Sequence, residues 1–122
     1  MDSLILSKNT MNLLDDKKAV GIISIDVSKV TTLTDYFIIC SGTSDRHRKS
    51  LADDVQEFME NEDVKMLSKE GYRTADWILL DYGWVVVNVF SSDAREKYNL
   101  ERLWSDGSLS DLRNMQNTEE TK

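Results

Sequence analysis

The chain has 122 residues, 40% of them hydrophobic and 30% charged, with a formal net charge of -7. That is enough for one domain with one core, and no apolar run approaches the roughly 18 residues a membrane span requires. The negative balance disfavours phosphate backbones, whose binding rests on Lys and Arg, so direct nucleic-acid binding is not expected as the main role and a basic protein partner is favoured. A single cysteine, Cys40, cannot pair within the chain. With an N-terminal "MDSLILSKNTMNLLDDKKAV" that lacks the build of a secretory signal or transit peptide, it points to a reducing cytoplasm.

In chain order, residues 3–18 place Leu4, Ile5, Met11 and Leu14 close to one helical face, which predicts a first helix. "GIISIDVS" then alternates, with Ile23, Ile25 and Val27 on one side and Ser24, Asp26 and Ser28 on the other, the pattern of a half-buried strand. "YFIIC", 36–40, is continuously apolar and reads as a central strand covered on both faces. After Gly42, Ser44 serves as an N-cap for a helix to about Asn61, whose stripe is Leu51, Ala52, Val55, Phe58 and Met59. A third strand near 64–68 is expected to complete a crossover. "WILL" and "WVVVNVF" form two strands joined across "DYG", where Gly83 supplies a positive φ.

Asp93 and Glu96 resemble a capping box for a last helix carrying Tyr98, Leu100, Leu103 and Trp104. The order α-β-β-α-β-β-β-α predicts a single α/β domain, a mixed sheet flanked by helices. It covers residues 1–105, with 106–122 as a flexible tail. The chain has no proline and shows no repeat.

Chemistry-bearing patterns are sparse. The strand-glycine-helix unit "FIICSGTSDRH" could turn amides toward a phosphate, but it has one glycine and no P-loop lysine, and an ordinary turn and cap explains it. Asp76 and Asp81 lie five positions apart, so on a regular strand they face opposite sides and cannot share a metal. His47 and Cys40 are the sole residues of their kinds, best read as a solvated first-turn histidine and a buried core thiol. No catalytic residue, metal or cofactor is therefore expected. Trp77, Tyr82 and Trp84 fall within eight residues at a hairpin, either as core or as anchors of a contact surface.

"TDYFIICSGTSDRH", "EGYRTADWILLDYG", "VVVNVF" and "REKYNLERLW" resemble, in order and spacing, the Iojap or ribosomal silencing factor family. Two departures stand out: Trp84 where the family usually has an acid, and Asn88 where it has a histidine. The resemblance implies a nucleotidyltransferase-like α/β fold that has lost catalysis. It also implies a partner, the fourteenth protein of the large ribosomal subunit, with binding there blocking the small subunit and repressing translation when nutrients are short. A homodimer is implied as well. Trp77, Leu79 and Asp81, on one side of a strand, with Tyr82 and Trp84 at the turn, are then the expected partner-binding residues. The competing reading is a metal- or phosphate-dependent enzyme acting on nucleotides through the loop 42–45.

Overall fold

The computed structural model describes residues 2–103 and 108–111. The elements run α1 (Ser3–Asp16), β1 (Val20–Asp26), β2 (Tyr36–Ser41), α2 (Asp45–Asn61), β3 (Ser68–Glu70), β4 (Trp77–Asp81), β5 (Val85–Phe90), α3 (Ser92–Tyr98), α4 (Leu100–Leu103) and β6 (Ser108–Asp111). The strands form a mixed sheet in the order β3-β4-β5-β2-β1-β6. Only β2 and β5 pair in parallel; the other neighbours are antiparallel.

β5 lies inside the sheet, and all six of its residues are buried. Its "VVVNVF" is mostly β-branched, which suits a pleated strand packed on both faces. On one face α1 and α2 lay Met11, Leu14, Leu51, Val55 and Met59 over Ile38, Cys40, Ile78, Leu80, Val85, Val87 and Val89. On the other, Ala94 and Leu100 of α3 and α4 join Ile25, Ile39 and Phe90, with Ile23, Phe37 and Trp77 partly buried beside them. The alternation predicted for β1 holds, but its polar side is also covered: Ser24 is buried, and its hydroxyl lies 3.1 Å from that of Ser7 on α1.

Three expectations need correction. The third strand does not complete the crossover: β3 is an edge strand antiparallel to β4, and the parallel partner of β2 is β5. "SKE" has no apolar side chain to bury and all three residues are exposed, so it can only occupy an edge. The last helix begins earlier than the Asp93–Glu96 pattern suggests, because the Ser91 hydroxyl caps it by accepting from the Ala94 amide at 3.1 Å. It is also interrupted, since Asn99 takes the left-handed conformation that asparagine tolerates, and α4 follows as a separate turn. Within the segment read as a tail, Ser108–Asp111 pairs with β1 along the sheet edge. The mobility expected of 106–107 and 112–122, and the place of Trp104 on the last helix, lie outside the described residues.

Candidate functional site

Arg48 organises the end of the sheet where β2 and β5 terminate. It belongs to the apolar stripe of α2, one turn before Leu51 and Ala52, and is only 6% exposed. Burying a guanidinium is tolerable only when its donors are used. Nη1 donates to the Gly42 carbonyl at 2.8 Å, Nε to the Ala75 carbonyl, and Nη2 to the Asp45 carboxylate. Gly42 is required here, because a Cβ would come 2.5 Å from Arg48 Cγ. Ala75, fully buried with φ at +60°, is held in a conformation alanine avoids. Gly71 closes the same loop at φ +77°, where a Cβ would collide with the Trp77 carbonyl at 1.9 Å. The loop entering β4 is thus fixed before Trp77 is reached.

On β4 the alternation is strict: Ile78 and Leu80 are buried against the helices, while Trp77, Leu79 and Asp81 share the opposite, part-exposed face. Trp77 is clamped there. Its Nε1 donates to Asn88 Oδ1 at 2.9 Å, and Asn88 Nδ2 donates in turn to the Ile38 carbonyl at 3.3 Å. The indole stacks on Phe90 at 5.0 Å and meets Tyr98 of α3 at 4.8 Å. Lys97 lies 5.5 Å from the Tyr98 ring centre. The result is a rigid aromatic step, Phe90-Trp77-Tyr98, whose outer member is 49% exposed.

Leu79 follows along the strand, opposite Glu70 of β3 and Asn88 of β5. Asp81 closes it, with Oδ1 accepting from the Gly83 amide at 2.8 Å. Its other carboxylate oxygen has no protein partner among the described residues. Trp77 to Asp81 spans four strand intervals, about 13 Å at roughly 3.3 Å each.

The five expected contact residues therefore do not form one patch. Tyr82 turns to the helix face, 6% exposed, and belongs to the core under α1 and α2. Burial and then the Glu60 charge push its phenol up to about 12. It cannot serve as a surface anchor in this conformation; it supports the turn from beneath. Trp84 is 64% exposed but lies past the turn, where its carbonyl accepts from the amides of Asp35 and Tyr36 at the start of β2. Sequence reading named Asn88 only as a departure from the family pattern and Tyr98 only as an apolar contact of the last helix. A signal existed for Asn88, a polar residue in the middle of a six-residue buried strand; none existed for Tyr98, whose place depends on how α3 packs.

The loop read as a possible phosphate cradle is occupied by its own side chains. Ser44 Oγ accepts from the His47 amide at 3.0 Å, and His47 Nδ1 from the Thr43 amide at 3.0 Å. His47 Nε2 lies 3.0 Å from the Lys17 carbonyl, which fits the tautomer protonated at Nε2 and ties α2 to the end of α1. Asp45 adds a negative charge in the first turn. Although the carboxyl ends of adjacent parallel strands are where α/β sheets commonly bind ligands, the buried cation here is already committed. Cys40 is fully buried, and desolvation pushes its thiol up to about 12 despite the opposing Arg95 charge. Among the described residues no three His, Cys, Asp or Glu gather closely enough to hold a metal ion, and no helix is long and apolar enough to cross a membrane.

The class is set by these layers: a single α/β domain, a mixed sheet between helices, presenting an aromatic and apolar strip along one strand. The chain belongs to the ribosomal silencing factor family, whose model, described as "Ribosomal silencing factor during starvation", matches residues 2–122. It is 40% identical over 98 residues to a ribosomal silencing factor of Bacillus subtilis, covering 80% of this chain and 83% of that protein. It is 32% identical over 104 residues to a mouse protein named "Mitochondrial assembly of ribosomal large subunit protein 1", covering 83% of this chain and 46% of that one. In three dimensions it matches a crystal structure of a Chromobacterium violaceum protein with a TM-score of 0.83 and 36% identity, over 86% of this chain and 88% of the other.

Proposed function

We propose that this protein is a non-enzymatic translation repressor of the cytoplasm that binds the large ribosomal subunit through its fourteenth protein. It thereby obstructs joining of the small subunit when nutrients are short. The observation that carries the reading is the strip Trp77, Leu79 and Asp81: a clamped indole, a leucine and a carboxylate in line on one strand face. Such a strip offers two apolar anchors and a charge suited to a basic ribosomal protein. Clamping matters because the anchor side chains lose little freedom on binding. The family description names silencing during starvation, and the mouse relative's name places that protein with the large ribosomal subunit.

A homodimer is proposed on the family resemblance alone. The enzyme reading is the weaker one, since Asp81 is engaged with the turn and Arg48 with backbone carbonyls. Co-sedimentation of the purified protein with isolated large subunits tests the binding step. We expect stoichiometric association with large subunits and none with small ones; no association at micromolar protein would remove the proposal.

A further inference from the structure

A groove of about 520 Å³ lies beyond the turn joining β4 and β5, lined by Ser3 and Leu6 of α1, Val64, Lys65 and Leu67 from the segment after α2, and by Tyr82 and Trp84. Two of its walls are large apolar side chains left open to solvent: Leu67 is 63% and Trp84 64% exposed. A compact domain gains nothing by holding an indole and a leucine outward on either side of a depression, and such patches mark contact sites.

Carboxylates predominate around the groove. Asp63 lines the groove. Asp35 accepts from the hydroxyl of lining residue Ser3 at 2.8 Å, and Asp81 accepts from the amide of lining residue Gly83. Among the lining residues themselves Asp63 and Lys65 carry one charge of each sign, and the Asp35 and Asp81 carboxylates adjoin the lining through Ser3 and Gly83. Tyr82, one wall of the groove, also has a buried hydroxyl with no protein partner among the described residues.

We propose that this groove is a docking site for a basic polypeptide segment of a partner protein, one that inserts a large apolar side chain between Leu67 and Trp84 and sets lysines or arginines against Asp35, Asp63 and Asp81. The groove lies beyond the turn from Trp77 and Leu79 and shares only Asp81 with their strip; the proposal does not depend on the ribosomal reading.

The probe is a short synthetic peptide with a Leu-Phe pair flanked by lysines and arginines, titrated into the full chain and followed by backbone amide NMR. Its counterpart has glutamates in place of every basic residue. The basic peptide should shift resonances clustered at Val64, Leu67, Gly83 and Trp84, bind at least about tenfold more tightly than the acidic one, and weaken as salt is raised. Trp84→Ala and Leu67→Ser should each cost about tenfold in affinity with an unchanged thermal midpoint, since both side chains are largely exposed. Asp63→Asn, which keeps a residue tolerant of the positive φ at that position, should cost a few-fold. Three results would overturn the proposal: shifts scattered over the acidic surface, equal affinity for the acidic peptide, or full affinity in Trp84→Ala. Self-association in sedimentation that disappears in Trp84→Ala would also overturn it, by assigning the groove to a second copy.

Discussion

Asp81 closes a turn in this structure and is proposed to meet a basic partner, and substituting it separates the two roles. Its Oδ1 accepts from the Gly83 amide at 2.8 Å, closing the turn, and the residue is part-exposed on the strand face that bears Trp77 and Leu79. Asp81→Lys removes both functions. Loss of one partly exposed hydrogen bond costs about 0.5 to 1.5 kcal/mol, which for a domain of this size lowers the thermal midpoint by roughly 2 to 6 °C. If the carboxylate also meets a basic ribosomal protein, placing an ammonium there should cost about 2 to 5 kcal/mol in binding, or 30-fold and more in affinity. Asp81→Asn separates the effects, because the amide oxygen can still accept from Gly83 while the charge is gone. It should hold the midpoint within about 1 °C yet bind large subunits several-fold more weakly. Paired measurements of thermal midpoint and large-subunit affinity decide the matter. Wild-type affinity in both folded variants would refute the placement of the contact on this face.

Trp77→Phe keeps the stack on Phe90 and Tyr98 but strands the buried Asn88 carbonyl oxygen, so it should destabilise by about 1 to 3 kcal/mol, and a double-mutant cycle with Asn88→Ala should show coupling above about 0.5 kcal/mol. Gly71→Ala should abolish soluble expression or lower the midpoint by more than 10 °C, an outcome on the order of several kcal/mol, because its Cβ would overlap the Trp77 carbonyl at 1.9 Å. Tyr82→Phe should leave the midpoint at pH 7 unchanged or raised, since the hydroxyl it removes makes no protein hydrogen bond among the described residues. The Cys40 thiol and Tyr82 phenol are both held up to about 12 from ordinary values of 9.0 and 10.0, so the folded chain retains protons that the unfolded chain has lost. Stability should accordingly be full below about pH 9 and fall as pH rises toward 12, by at most about 1.4 kcal/mol per pH unit for each group; a denaturation series across that range checks the sign, and Tyr82→Phe should flatten it.

The unit from β2 through α2 was legible because its signals are local: a continuous apolar strand, Gly42 where a side chain would strike Arg48, the Ser44 cap, and a clean helical stripe. The facing of β4 was legible too, since parity alone puts Trp77, Leu79 and Asp81 together. The same parity places Tyr82 on the other face, and grouping it with its neighbours by aromatic content overlooked that. Trp84 escaped because a turn breaks the count. Arg48 sat in view on the apolar stripe of α2, but its partners Gly42 and Ala75 come from two distant segments, and nothing in either predicts the other. β3 was misplaced because a strand's partner is set by which surfaces remain to be covered, and β6 was missed because "SLSD" carries no apolar alternation of its own.

The central claim is that this domain, seated on the large subunit, keeps the small subunit away. Purified large subunits incubated with saturating protein and then mixed with small subunits, resolved on a density gradient, test it directly. The account predicts that the joined ribosome peak falls in proportion to the protein bound, that the protein travels with large subunits, and that Asp81→Lys restores joining. Undiminished joining with protein visibly bound to the large subunit would contradict it.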